Sequence, residues 1–335
     1  MITHVVLDGV AEGALGVGVD IVDTAARLVA AGVVPTPQRA QPLRQRVVSL
    51  DGRPVRAGNG RAIAVNGALG VRRVKPGDVL VVPGLSAATE PAIERLLARP
   101  DSVRAAALLS RASARGAVIA ASCSATFVVA AAGLLAGGSA TTTWWLAPTF
   151  ARRFPDVALR ADRMVVDEAG VLTAGSAFAH ADLMLAVVAR IASASLAHMV
   201  ARYLVLDERV SQSRYMVMEH LRSVDPSLRA LERFITENIG RQLALDELAR
   251  AARVSPRTLA RRVKAGLGMT PIELVQRLRV SHAAHRLETT HDSVEEVAAR
   301  VGYADAAAFR RVFRRYVGET PRGRSRAATR ESKMS

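Results

Sequence analysis

The feature that most constrains this chain is a design made twice near its end: Leu245–Lys264 and Val294–Arg315 each read as a short helix, a tight turn and a second helix. Ser255-Pro256 and Thr270-Pro271 both put a hydroxyl acceptor at the N-cap and a proline at the first helical position, where its missing N–H is no loss. Thr270 with Glu273, and Ser293 with Glu296, fit the S/T-x-x-E/Q capping box. Gly302 falls where the second turn needs a flexible residue. Leu259/Val263 and Phe309/Phe313 stand four apart, so each pair shares the inward face of its helix.

The opposite faces are basic. Arg257 and Arg261 lie across from the first apolar pair; Ala307 and Arg311 lie across from the second, flanked by Arg310, Arg314 and Arg315. Such a face fits a major groove, where arginine bonds guanine bidentately while flanking cations and helix N-termini hold phosphates. Ala306 and Ala307 offer only methyl contact, so specificity is expected to lean on the arginines. A basic amphipathic helix is commonly no more than a solvated face, but the duplication argues otherwise here. Residues 226–335 hold 22 Lys and Arg against 12 Asp and Glu, or +10 of the chain's formal +16. That field attracts any polyanion, a membrane surface included, and the helix-turn-helix pattern selects double-stranded DNA.

Over roughly Pro226–Arg324 the sequence resembles the AraC family of transcription factors. The residues that carry the resemblance are SPRTLARRVKAGLGMTP, RLRVSHAAHRLETT and SVEEVAARVGYADAAAFRRVFRRYVGETP, in that order. It implies an all-α domain of seven helices with two recognition helices. Its base-contacting positions fall on Arg257, Ala260 and Arg261, then on Ala306, Ala307, Arg310 and Arg311, with Thr258 and Arg314 completing the DNA-facing set. Arg253 stands where the family has a turn glycine and Val263 where it has an aromatic, which implies a looser first unit.

The preceding residues have a different grammar. Apolar runs THVVLD, VVSLDG, DVLVVPG, GAVIAAS and MVVDEAG-VLTAG alternate with helical stretches, the first near Val19–Ala31. This predicts an α/β, flavodoxin-like parallel sheet covered on both faces, with functional groups at the carboxyl ends of its strands. Hydrophobic content of 50% with only 4% aromatics makes the core one of Ala, Val and Leu. Gly116–Ala151 has no charge and is long enough to span a bilayer, yet its Ala, Gly, Ser and Thr read better as buried strand, turn and helix, so no membrane association is expected. MITHVVLDGV has no secretory pattern, and a cytoplasmic location is expected.

Two strand ends stand out. Asp78–Val82 runs into Pro83-Gly84-Leu85, and Gly116–Ala121 runs into Ser122-Cys123-Ser124-Ala125, the strand, sharp turn and helix of a nucleophile elbow. A thiol near a helix N-terminus is expected to have a lowered pKa, and a cysteine nucleophile also needs a base, usually histidine. The plainer alternative is a small buried thiol in a tight turn.

Met1 to about Ala194 resembles the DJ-1/PfpI branch of the class I glutamine amidotransferase-like fold, through VLVVPG, AVIAASCSATFVVAAAGLLAGGSATTTWW, FPDV and LTAGSAFAHADLMLAVVARI. Fused ahead of an AraC-type domain, it matches the GlxA-like subfamily of regulators. That resemblance implies homodimerisation, a small-molecule effector of the amine, amide or amino-acid class, activation, and RNA polymerase as a further partner. Thr143 stands where relatives frequently carry histidine, His180 is the only nearby histidine in sequence, expected to be exposed or capping, and Glu12 is a weak match for an orienting acid. Catalysis is therefore expected to be lost, with Gly84, Leu85, Cys123, Ser124 and Thr143 kept as a ligand pocket. A cysteine-dependent hydrolase or glyoxalase-like enzyme with an accessory DNA module, and a thiol redox sensor lacking a resolving cysteine, remain the alternatives.

No cofactor is implied. One cysteine excludes an internal disulfide and a multi-cysteine zinc site; His282 and His285, three apart, lack further ligands at metal spacing and read as a partly exposed helix face. Trp144 and Trp145 read as core plus rim. The expected organisation is a sensing domain over 1–196, a linker over 197–225 with a polar connector near Asp207–Gln212, a DNA-binding domain over 226–325 and a basic disordered tail over 326–335.

Overall fold

A computed structural model describes residues 1–34, 43–207, 209, 211–212, 226–267, 269–290, 292–317 and 320–322. The Asp225-Pro226 joint, in part, and the tail over 326–335 lie outside the described residues. The chain divides into two units, Met1–Gln212 and Ser213–Ser335.

The first unit has strands β1 (Ile2–Val5), β2 (Gln45–Val48), β3 (Val55–Arg56), β4 (Ala62–Ile63), β5 (Val79–Val82), β6 (Val118–Ser122), β7 (Ser139–Ala140), β8 (Ala158–Leu159), β9 (Val165–Glu168) and β10 (Val171–Ala174). Six of them form one sheet in the order β2-β1-β5-β6-β10-β9, parallel except for the β9–β10 hairpin. Period-two alternation divides its side chains between two cores. Val5, Leu80, Val82, Ile119 and Ala121 face one; Ile2, Val79, Val81, Ala120 and Leu172 face the other. The helices are α1 (Glu12–Ala30), α2 (Glu90–Ala98), α3 (Pro100–Ser113), α4 (Ala125–Ala131), α5 (Ala147–Arg153), α6 (His180–Ile191) and α7 (Ala194–Tyr203). Helices α1, α6 and α7 pack together on the second face. Trp144 is buried and Trp145 packs half-buried on the first core, their rings edge to face at 5.2 Å.

Two boundaries differ from the sequence reading. Helix α1 starts at Glu12 rather than near Val19; Gly13, Gly16 and Gly18, which weaken a helix locally, hide its first turns in the sequence. Gly18 is needed: a Cβ there would stand 2.8 Å from Nε2 of His180. The first unit also continues past residue 196, since α7 docks on α1 and α6 and Gln212 is buried within it.

Beneath α1 lie His4 and His180, neither exposed. His180 is thus neither a surface residue nor a cap; its Nδ1 lies 2.9 Å from Ser122 Oγ. Gln45 donates to Val19 O at 2.9 Å and so turns its carbonyl oxygen to His4 Nε2 at 3.0 Å, which makes Nε2 the protonated nitrogen. His4 Nδ1 and His180 Nε2 have no hydrogen-bond partner among the described residues. Burial, then the neighbouring His4, pushes the His180 pKa down to about 3, and burial lowers that of His4.

The second unit contains helices α8 (Pro226–Glu237), α9 (Leu245–Ala251), α10 (Pro256–Leu267), α11 (Pro271–Thr289), α12 (Val294–Arg300) and α13 (Ala306–Val317), six among the described residues where the family resemblance implied seven. Val280, Ala283 and Leu287 of α11 pack with Val297, Val301, Phe309 and Phe313. Arg279, 6% exposed, donates to Gly302 O at 3.1 Å and Arg241 O at 2.6 Å and lies over the Tyr303 ring at 5.5 Å. The two helix-turn-helix turns solve one backbone problem differently. Gly302 has φ +84° with no room for a Cβ, 2.7 Å from Ile239 O. Arg253 takes φ +55° despite its side chain.

The buried histidine and the strained arginine each set a measurable outcome. A buried histidine whose folded pKa is depressed stabilises the fold fully above its unfolded pKa of about 6.5, and that contribution is lost as pH falls toward 3. Urea unfolding of the first unit should therefore weaken by about 2–3 kcal/mol between pH 7 and pH 4, and His180→Gln, though less stable at pH 7, should flatten this dependence. Arg253→Gly should relieve the left-handed strain by about 1 kcal/mol and slow hydrogen exchange in α10 about fivefold; faster exchange would contradict the strain.

Candidate functional site

Helices α10, α11 and α12 are held by the caps that the sequence announces. Thr258 N donates to Ser255 Oγ at 3.2 Å. Thr270 and Glu273 bond reciprocally at 3.2 and 2.7 Å, as do Ser293 and Glu296. One cap was missed: both carboxylate oxygens of Asp305 accept from α13, Ala307 N at 2.8 Å and Ala308 N at 3.0 Å. An Asp just before an apolar periodic run was a readable signal.

Leu259, Val263, Phe309 and Phe313 are fully buried, which turns the opposite faces of α10 and α13 outward. Arg257 and Arg261 are exposed on α10, with Thr258 and Ala260 half-buried beside them. Ala307, Arg310, Arg311 and Arg314 are exposed on α13, and Ala306 is half-buried. Val263, in place of an aromatic, is still fully buried. Arg310 is drawn to Glu295 of α12 in an ion pair, whereas Arg311 and Arg314 make none among the described residues. A groove would thus find Arg311 available and would compete with Glu295 for Arg310. His282 and His285 are exposed on α11, and no group of three metal-ligating side chains occurs among the described residues.

The elbow forms as expected in backbone and not in chemistry. Strand β6 ends at Ser122, Cys123 takes φ +56°, and α4 begins at Ala125. Cys123 N donates to Gly175 O at 2.7 Å and Ala174 O at 3.0 Å, and its carbonyl accepts from Thr142 Oγ1 at 2.7 Å. Ser124 exchanges two hydrogen bonds with the Leu85 main chain. Gly84 admits this approach, since a Cβ there would lie 3.0 Å from Cys123 Cβ. Gly84, Leu85, Cys123, Ser124 and Thr143 are thus brought together, but all are buried.

Burial pushes the Cys123 thiol up, against smaller opposing contributions from Ser124 and Thr143. The expected lowering by α4 is therefore overturned: a seven-residue helix supplies little macrodipole, and desolvation outweighs it. No base assists. His180 is engaged with Ser122 on the other core, and Glu12 bonds Asn59 at 2.6 Å and Arg61 at 3.2 Å. The wall of the elbow holds one residue that sequence reading missed: Gln212, buried, donates to Thr141 Oγ1, Thr142 O and Ala161 O at 3.2, 2.8 and 2.9 Å. Nothing in its polar neighbourhood in sequence marks it.

Comparison with known proteins agrees with both halves. Residues 20–190, just over half the chain, match the DJ-1/PfpI family, and residues 248–326 match a helix-turn-helix domain. The chain belongs to the DJ-1/PfpI family and carries an AraC-type helix-turn-helix domain at its C-terminal side. It is 30% identical over 178 residues to the HTH-type transcriptional regulator GlxA of Rhizobium meliloti, covering 52% of this chain and 55% of that one. It is 30% identical over 176 residues to the HTH-type transcriptional regulator ArgR of Pseudomonas aeruginosa, covering 52% and 53%. The chain thus spans about half the length of these relatives. An AraC family transcriptional regulator from Pseudomonas putida, known from its crystal structure, is 23% identical with a TM-score of 0.47, covering 61% of this chain and 98% of that one. No helix among the described residues is long and apolar enough to cross a membrane.

A thiol with a raised pKa is protonated at neutral pH, and its reactivity rises with pH. Alkylation of native Cys123 by iodoacetamide should keep rising through pH 9, whereas the denatured chain should level off near an ordinary thiol's pKa. A native plateau below pH 8 would mean an activated thiolate.

Proposed function

We propose that this chain is a sequence-specific DNA-binding transcriptional regulator whose DJ-1/PfpI domain senses a small metabolite without turning it over. The observation that carries the reading is the pair of capped helices presenting Arg257, Arg261, Arg311 and Arg314 outward over a fully buried apolar seam. The relatives' names support it. The DNA contacts are assigned to Arg257, Thr258, Ala260 and Arg261, then Ala306, Ala307, Arg310, Arg311 and Arg314, the arginines reading bases and the rest fitting the groove.

The elbow residues Gly84, Leu85, Cys123, Ser124 and Thr143 serve as the effector site. A protonated, buried thiol with threonine in place of a base favours binding over hydrolysis. The effector is an amine, amide or amino-acid derivative, and the protein acts in the cytoplasm as a homodimer joined through the first unit, which raises the effective concentration of the second DNA-binding unit once the first is bound. Activation through contact with RNA polymerase completes the reading.

Selection from a random duplex library by the full chain is the direct test: recovery of one motif supports the reading, and unbiased recovery refutes it. On the selected duplex, Arg261→Ala or Arg311→Ala should each cost about 1–3 kcal/mol and relax preference at one base pair. Equal losses on all sequences would reassign that arginine to phosphate.

A further inference from the structure

The elbow site is shut in this structure, and the segment that shuts it from behind is the last stretch of the first unit before the chain leaves for the DNA-binding unit. After α7 the backbone turns sharply at Val205, a β-branched residue at φ +54° and 90% exposed, in a left-handed C-cap closed by Val205 N to Arg202 O at 3.3 Å and Leu206 N to Ala201 O at 2.8 Å. Arg209 closes on Asp182 of α6, Nη2 to Oδ2 at 2.5 Å and Nε to Oδ1 at 3.3 Å, and donates to Phe178 O at 2.8 Å. Ser211 pairs with Arg163 in an antiparallel bridge and donates to Asp162 O at 2.7 Å. Gln212 ends the strap, buried against Thr141, Thr142 and Ala161.

Those partners form the wall of the elbow. Thr142 takes Gln212 Nε2 on its carbonyl and gives its own hydroxyl to Cys123 O. Gly175 takes the Cys123 N–H on its carbonyl and leaves the space that Gln212 occupies, for a Cβ there would lie 2.4 Å from Gln212 Oε1. One residue separates Gln212 from Cys123 along each path. The closed state is also imperfect: Gln212 Oε1 is buried without a hydrogen-bond partner among the described residues, and an unmade hydrogen bond in the interior carries a penalty.

We propose that Gln212 is the latch through which occupancy of the elbow site reaches the DNA-binding unit. In this proposal entry beside Cys123 moves the wall over 141–143, movement of that wall breaks the Gln212 bonds, and loss of those bonds frees Arg209, Ser211 and Gln212 at the end of the first unit. The converse holds by linkage: freeing the strap opens the elbow. The inference rests on the elbow being the effector site and deepens that reading by naming how the site is coupled.

Cys123 is the only cysteine, so its reaction with 5,5′-dithiobis(2-nitrobenzoate) in the full chain reports opening without knowledge of the effector. Gln212→Ala should speed that reaction about fivefold or more. Asp182→Asn, which loosens the strap from its far end, should act in the same direction and carries the test where Gln212→Ala misfolds. In reverse, attaching the thionitrobenzoate group to Cys123 should speed tryptic cleavage after Arg209 while leaving cleavage after the exposed Arg53 unchanged. A smaller rise in thiol reactivity in both variants, or cleavage after Arg209 indifferent to labelling, overturns the latch. These readouts need no DNA, so failure to select a duplex sinks the regulator reading separately. On a selected duplex Gln212→Ala should shift affinity; unchanged affinity confines the coupling to the first unit and overturns the transmission.

Discussion

A residue with a side chain held at φ +56° costs on the order of 1–2 kcal/mol, and Cys123 sits there because everything around it makes the alternative worse. Its N–H is shared by two carbonyls at the end of β10, its carbonyl takes the Thr142 hydroxyl, and the next residue is bonded twice to Leu85. Leaving the left-handed conformation would orphan several buried polar groups together, each a loss comparable with the strain itself. The turn therefore ties the ends of β5, β6 and β10 into one block. Gly84 and Gly175 are the two places where that block comes too close for a Cβ.

The same closeness decides the chemistry. A helix N-terminus contributes about 0.3–1 kcal/mol toward a thiolate, and less from a helix of two turns. Removing an ionised sulfur from water costs more, and the thiol stays protonated. Relatives that work as enzymes would need water, a base and an open approach at this point. Here the base position is Thr143, the nearby histidine faces the other core, and the approach is closed. Nucleophilic chemistry at this thiol thus faces three independent obstacles, and removing any one of them leaves the other two.

Local, periodic signals were legible in the sequence. The six strands of the main sheet, both capping boxes, the Ser255 cap, the Gly302 turn and the elbow are each written within a few adjacent residues, where propensity and spacing act alone. The early start of α1 was not legible, because Gly18 is dictated by a histidine more than 160 residues away in the chain. The His4–Gln45–Val19 chain and the reach of Gln212 to Thr141, Thr142 and Ala161 are long-range in the same way. The direction of the Cys123 shift was hidden for a related reason: the helix beside it is visible in sequence, and the burial that outweighs it is not.

On the proposed reading of the elbow as a binding site, its closure changes what binding means. A ligand that requires the open form meets only the fraction of molecules already open, so its apparent affinity is weakened by that fraction; an opening cost of about 2 kcal/mol leaves about 3% competent and weakens binding about thirtyfold. The ligand then shifts the protein by its preference for the open form and by nothing else. For such a shift to be read elsewhere, some element must differ between the two forms and continue into the next unit. In the latch proposed above that element is Gln212, which is bonded to the elbow wall and is the last residue of the first unit. DNA contacts and effector contacts need share no residue for the two to be coupled through it.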